Sequence, residues 1–328
     1  MDWVDRTKRL PWIAIFWVLL LGWIAFFNQL GNTGLLDETE PLFVEAARQM
    51  TVTGDWITPY FNGVTRFDKP PLIYWLMVIG FKIFGTNEWG ARMPSAIAGT
   101  ALVGLLFYTL TQVVKPQAPA EATEEPPANL LPYMGSGILA LNLQMLFFGR
   151  TGYSDMLLNA CFGGALLAFF LGYLQPRRSW AMKGWYWGFF ALVGLGILTK
   201  GPVAVVLPLA IVAFFTFLTG NFQRLVVELP WFSGSFLAGA IALPWYWAVY
   251  QRNGAAFVNA FFGFHNMERF TQVVNQHAGP WYYHFVVLGA GMLPWSVALP
   301  AGLLYALRLK TDRDDRRGHL GILALAWF

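Results

Sequence analysis

An all-α polytopic membrane protein is the fold class this sequence predicts, and three observations predict it. The chain of 328 residues is 56% hydrophobic and 17% aromatic, with only 12% charged residues and a mean hydropathy of +0.48. A soluble domain carries roughly 25% charged residues. Apolar runs of about 20 residues recur along the chain, enough to cross roughly 30 Å of hydrocarbon as helix. The sharply placed charges fall at the ends of those runs, and when the spans are drawn they all face one compartment. The net charge of +4 is dispersed over the loops and gives no nucleic-acid signature. The single cysteine, Cys161, lies in an apolar run and cannot form an intrachain disulfide. Nothing after the first apolar run reads as a cleavage site, so that run is taken as a retained span.

The runs place membrane helices at 11–27, 91–114, 131–149, 156–175, 185–199, 202–219, 231–249 and 283–307, with a ninth beginning near 320: about eight complete spans and the start of another. With the N-terminus inside, the inner segments are 1–10, 115–130, 176–184, 220–230 and 308–319. They hold 13 of the 22 Lys and Arg, a density bias that supports this orientation. Segment 115–130, rich in Pro, Ala and Glu, reads as a linker. The first outer loop, 28–90, is expected to be ordered. Residues 41–50 have the pattern of a short amphipathic helix, with Thr39 as N-cap and Leu42, Phe43, Ala46 and Met50 on one face. Residues 71–84 are apolar but too short to span, and read as an interfacial helix begun by Pro70 and Pro71. A Gly/Pro/Asn-rich bend from Gly54 to Lys69 joins the two.

The outer charges carry the chemistry. Asp37 and Glu38 follow the first span; a carboxylate there suits a general base or a group that orients a sugar hydroxyl or amine, although a solvated acidic loop explains them equally well. Glu40 reads as decoration of a helix first turn. Arg150 and Asp155 bracket a turn of only a few residues. Lys200 sits in the hairpin Thr199-Lys200-Gly201-Pro202, as a snorkelling lysine or as a phosphate cation. His265 and Arg269 share a loop dense in aromatic residues. Lys69, Arg92, Arg150, Lys200 and Arg269 are the candidate cations for a lipid-linked phosphate at headgroup depth. Glu38, Asp68 and His265 complete the candidate substrate-binding set. A polyprenyl tail needs an apolar groove between helices, and a sugar needs carboxylates and aromatic faces. A lipid or glycolipid transporter is the rival reading; it requires ionisable residues near mid-span, and the spans hold almost none.

The stretch Leu36-Asp37-Glu38, Gly54-Asp55-Trp56, Phe61-Asn62-Gly63 and Phe67-Asp68-Lys69-Pro70-Pro71-Leu72 resembles the first outer loop of the dolichyl-phosphate-mannose protein mannosyltransferase-like superfamily. Within it, the likeness is to bacterial aminoarabinose transferases that act on lipid A. The Arg150…Asp155 turn, Thr199-Lys200-Gly201-Pro202 and His265-Asn266…Arg269-Phe270 are similar to that group's motifs, in the same order. The resemblance implies a GT-C glycosyltransferase of the bacterial inner (plasma) membrane, with its active face extracytoplasmic. It would transfer a sugar from a polyprenyl-phosphate donor to a lipid A-type glycolipid, another glycan or a protein. It implies Asp37 and Asp155 as the catalytic acids, and Asp68 and Lys69 as the acid–lysine pair before the prolines, where the group commonly carries Glu. It admits a divalent metal, with Asp68 and His265 as candidate ligands. Family members are longer, so the chain is expected to end within a span, without the later spans and the extramembranous domain; an inactive truncated homologue is the further alternative.

Overall fold

The structure is a computed structural model, and it describes residues 3–114, 130–268, 280–308 and 316–327. It is a helical bundle. Helix α1 (Trp3–Gly22) runs into a π-helical turn, Trp23–Phe27. The first loop then folds as α2 (Thr39–Thr53), a two-stranded hairpin (Tyr60–Phe61 and Val64–Thr65) and α3 (Leu72–Phe84). The bundle continues as α4 (Glu88–Val114), α5 (Leu131–Ala140), α6 (Leu143–Gly149), α7 (Ser154–Tyr173), α8 (Trp180–Lys200), α9 (Val203–Leu218), the short α10 (Phe222–Glu228) and α11 (Trp231–Val258). Helical segments at 283–308 and 316–327 complete it.

Among the described residues, four helices are long and apolar enough to cross a membrane, and up to six if each bent pair counts as one span. This is fewer than the eight predicted. The 131–149 run is broken into α5 and α6 at an angle of 62°, and the 283–307 run bends by 113°. The break in the first pair lies at Leu141-Asn142, where the Asn142 side chain accepts from the Met145 N–H and caps α6. Helix α9, of 16 residues, is short for a span at 1.5 Å per residue.

Between α1 and α4 the chain folds into helices at Thr39–Thr53 and Leu72–Phe84, where the sequence suggests helices over 41–50 and 71–84. Thr39 is the first helical residue of α2 and not its N-cap; the cap position belongs to Glu38, which makes no side-chain cap bond. Between the helices the chain makes a hairpin that the all-α reading omitted. Asn62 (φ 49°) and Gly63 (φ 78°) occupy the two left-handed positions of the tight turn, the pair of residue types that such a turn prefers. Helix α3 buries Ile73, Tyr74, Met77, Val78 and Phe81 and exposes Ile79, Ile83 and Phe84. It lies tight against α4, because Gly80 faces the Gly90 carbonyl at a distance that admits no Cβ. One core cluster joins these loop helices to α4 and α7 through Phe43, Met50, Tyr74, Val103 and Met156. A second packs α7, α8 and α9 around Phe169, Tyr186, Phe189 and Phe215.

Chain direction alternates through the bundle, so the N-terminal end of α7 and the C-terminal end of α8 meet at one end, with the first loop. Tyr173, Trp180, Leu218 and Trp231 mark the other end. This yields a direct test of topology. In a Cys161-free background, single cysteines at Asn62 and Trp180 are expected to react with impermeant thiol reagents from opposite sides of sealed vesicles. Labelling of both from one side would overturn the arrangement.

Candidate active site

The site is built around a carboxylate that the sequence reading assigned to decoration. Glu40 is fully buried. It accepts hydrogen bonds from the Leu36 N–H at 2.5 Å, the Gly152 N–H at 2.6 Å, and Nε and Nη2 of Arg92 at 2.8 Å each. Arg92 is 1% exposed. Its remaining donors go to Leu30 O, Thr33 O, Thr33 Oγ1 and Gly34 O at 2.8–3.1 Å. All five donors of the guanidinium are therefore engaged. Arg92 cannot be a cation for the carrier phosphate, which corrects the expectation; it is the buried partner of Glu40. Burial opposes ionisation of Glu40, but the Arg92 hydrogen bonds and the Leu36 and Gly152 N–H groups outweigh it and hold the carboxyl below its ordinary value. Two charges in an apolar interior need each other. The signal was available, since Arg92 falls inside an apolar run where a lone charge requires a partner. It did not say which carboxylate, 52 residues away, would be that partner.

This pair ties the loop before α2 to the turn between α6 and α7, and so places the two expected catalytic acids at one end. Asp37 is exposed and holds a left-handed backbone, φ 59°, a conformation uncommon outside Gly, Asn and Asp. Its Oδ1 accepts the Glu38 N–H at 2.6 Å. Asp155 stands in the first turn of α7, and its Oδ1 accepts from Lys200 Nζ at 2.7 Å. That ion pair joins α7 to the end of α8, with side chains about a third exposed (36% and 30%). Between the two acids lies the buried phenol of Tyr153, whose hydroxyl donates to Leu36 O at 3.4 Å. Burial first, then the charges of Asp37, Glu40 and Asp155, push its pKa up. The phenol stays protonated and available as a donor. The sequence reading missed Tyr153; only the fold surrounds it with carboxylates.

The Asp-Lys-Pro-Pro element forms a second cluster. Asp68 accepts from Arg66 Nη2 at 2.9 Å on one oxygen and from Lys69 Nζ at 2.8 Å on the other. Arg66 also lies over the Phe43 ring, 5.6 Å from its centroid. Asp68 thus has a cation on each oxygen, and the side chain of His265, the other expected metal ligand, lies outside the described residues. No group of three His, Cys, Asp or Glu among the described residues is arranged to hold a metal. Phe67 anchors the cluster to the bundle, packed with Leu198, Trp245, Phe257 and Phe261. The Trp245 Nε1–H donates to Ile57 O at 2.9 Å, and Arg252 pairs with Asp55 at 2.7 Å. These contacts bring the 54–69 bend against the far end of α11.

Arg150 points elsewhere. It donates to Asn28 O at 2.7 Å and Ala25 O at 3.4 Å, and so satisfies carbonyls at the end of the first helix. Glu38 is exposed near the site. The backbone of His265 lies in the π-helical segment Asn259–Glu268, and its side chain lies outside the described residues. So do Arg269 and the 115–129 part of the expected linker. Behind Lys200, Gly201 (φ +84°) turns the chain where a Cβ would meet Phe261 at 2.8 Å. From there an apolar groove of about 770 Å³ runs between α8, α9 and α11, lined by Ile197, Pro202, Val205, Tyr246 and Phe257 near the site and Phe190 and Trp231 toward the other end.

Residues 68–123 match the family described as dolichyl-phosphate-mannose-protein mannosyltransferase. The chain is 30% identical, over 95% of its length and 50% of the relative's, to the undecaprenyl phosphate-alpha-4-amino-4-deoxy-L-arabinose arabinosyl transferase 2 of Pseudomonas fluorescens. The crystal structure of ArnT from Cupriavidus metallidurans bound to undecaprenyl phosphate superposes with a TM-score of 0.78 at 25% identity, covering 97% of this chain and 54% of that one. An archaeal oligosaccharyltransferase, AglB from Archaeoglobus fulgidus, shares the fold at a TM-score of 0.56 and 15% identity, covering 99% of this chain and 47% of that one. The chain spans about half the length of the curated relatives it matches.

Proposed function

From a chain homologous to the ArnT-like undecaprenyl-phosphate aminoarabinose transferases of the GT-C superfamily, we propose a transferase that moves a sugar from a polyprenyl-phosphate donor to an acceptor at the extracytoplasmic face of the bacterial inner membrane. The observation that carries the reading is the apolar groove reaching the Lys200-Gly201-Pro202 turn, beside the Asp155–Lys200 pair and the Arg66–Asp68–Lys69 cluster. The groove suits a polyprenyl tail, and the cations at its end suit the phosphate. Helices α2 and α3 lie along the membrane surface in this reading and wall the site.

In the reaction the acceptor attacks the anomeric carbon, the glycosidic C–O bond breaks, and polyprenyl phosphate leaves with the bonding electrons. Lys69, Lys200 and Arg269 stabilise the leaving phosphate in a water-poor setting. Asp37, exposed at the site, is the general base when the acceptor is a hydroxyl. When the acceptor is an ionised phosphate, Asp37 orients the sugar. Asp155 holds Lys200 in place and balances its charge until the donor phosphate arrives. The acceptor is a lipid A-type glycolipid, another glycan or a protein.

Lys69→Ala is expected to lower turnover of a radiolabelled polyprenyl-phosphate sugar by roughly ten-fold or more, the scale of one lost charged hydrogen bond. Lys82→Ala is the control. Lys82 sits at the other end of α3, over the Trp56 ring, and its loss should leave turnover nearly unchanged. Equal losses in both variants would reduce the cations to general attraction for anionic lipid.

A further inference from the structure

At the end of the bundle away from Asp155 and Lys200 there is a second cavity, of about 790 Å³, whose lining mixes basic and polar side chains with apolar ones such as Met182, Trp187 and Val227. Two connections build it. The turn between α7 and α8 contributes Arg177 and Arg178, and the start of α8 adds Lys183; the segment from Gly220 through α10 to Ser233 contributes Arg224 and Glu228. Four cations thus line it against one carboxylate. Helix α8, of 21 residues, separates this cavity from Lys200 by on the order of 30 Å, so it is no part of the transfer site.

We propose that this cavity binds the headgroup of an anionic phospholipid of the cytoplasmic leaflet. Its cations are organised in advance. Glu228 holds Arg177 at 2.9 Å and Arg224 at 3.0 Å. Arg224 also lies over the Tyr173 ring, 4.4 Å from its centroid, and donates to Tyr173 O at 3.3 Å. The Asn221 side chain donates to the Tyr173 hydroxyl at 2.9 Å and fixes the facing wall. Glu228 offsets only part of this charge. Arg178, on a left-handed backbone (φ 61°), and Lys183, over the Trp180 ring at 4.9 Å, have no carboxylate partner among the described residues and remain for an anion.

The flank identifies the anion as a lipid. Trp180 is 81% exposed, Val227 78%, Phe232 90% and Phe236 73%, and Phe232 and Phe236 stand one turn apart on α11. This apolar rim continues from the basic cavity along the bundle wall. A soluble phosphate has no use for it, whereas acyl chains descending from a phosphodiester do. Basic pockets between helices on the cytoplasmic side are suited to such headgroups, and the excess of Lys and Arg in these connections places this end on that side.

The test is lipid retention by the intact chain, purified in detergent and analysed by native mass spectrometry after exchange with phosphatidylglycerol, cardiolipin or phosphatidylcholine. The expected result is retention of the two anionic lipids over phosphatidylcholine, unaffected by millimolar glycerol phosphate. The double variant R178Q/K183Q should lose that preference by roughly thirty-fold, about 2 kcal/mol at 1.4 kcal/mol per tenfold. Lys82→Gln, at the other end of the bundle, should keep it. Both changed side chains are exposed and carry no ion pair among the described residues, and matching gel-filtration profiles and circular dichroism verify that the variants fold. Equal retention of phosphatidylcholine, displacement by glycerol phosphate, or an unaltered preference in R178Q/K183Q would overturn the assignment.

Discussion

Under the proposed function, Asp37→Asn and Asp155→Asn are each expected to abolish sugar transfer and to leave the folded state intact. Loss of an acid–base or charge-balancing group at a reacting centre costs about 10²- to 10⁴-fold in rate, so residual turnover should lie near the detection limit. Folding is spared for reasons particular to each position. Asp37 is exposed with φ 59°, and Asn accepts that left-handed backbone as readily as Asp. The amide oxygen also keeps the acceptor that Asp37 Oδ1 offers to the Glu38 N–H. Asp155→Asn leaves Lys200 without its carboxylate, but that side chain is 30% exposed, so water screens the charge and little stability is lost. Release of radiolabelled sugar, measured beside gel-filtration homogeneity, decides the matter. Wild-type turnover in monodisperse variants would return both residues to loop decoration.

Arg92→Ala destabilises the protein by about 3–5 kcal/mol, the cost of stranding a buried charge, and Glu40→Ala does the same. Their loss loosens the first loop from α4 and from the turn at Gly152, because Glu40 bonds Leu36, Gly152 and Arg92 together and Arg92 in turn holds Leu30, Thr33 and Gly34. The readout is thermal unfolding in detergent. The double variant Glu40→Leu/Arg92→Met separates pairing from packing, since replacing both partners with apolar groups removes the stranded charge; it should be more stable than either single variant. Thermal stability unchanged in Arg92→Ala would show that the pair contributes nothing. A pH dependence follows. The folded Glu40 carboxyl titrates below its ordinary value of 4.5, so its contribution is complete above that value and is lost as pH falls through the lower folded value. Wild type should show this acid-sensitive component, and Glu40→Gln should lack it.

The sequence by itself determined the class, an all-α bundle built on long apolar helices, and the approximate place of most of those helices. These depend on composition, run length and the distribution of Lys and Arg, all local or additive properties of the chain. Asp37, Asp155, Lys69 and Lys200 stood out as candidates because each is next to a helix end or a proline pair, where a short connection restricts the reach of the side chain.

Only the tertiary structure decided how these charges are used. Arg92 had the same credentials as Lys69, a cation near the outer surface, and became a buried structural partner. Glu40 looked like a surface acid and became the hub of the loop. Tyr153 gave no signal until three carboxylates were folded around it. The breaks at Leu141-Asn142 and in the 283–307 run divided apolar stretches that hydropathy had joined. The physical reason is common to all of these. Hydropathy reports whether a side chain is stable in or beside the bilayer, whereas the partner of a charge is fixed by contacts between segments far apart in sequence, 52 residues for Glu40 with Arg92 and 45 for Asp155 with Lys200. Such pairing is decided by which helix ends meet, and that is a property of the packed bundle.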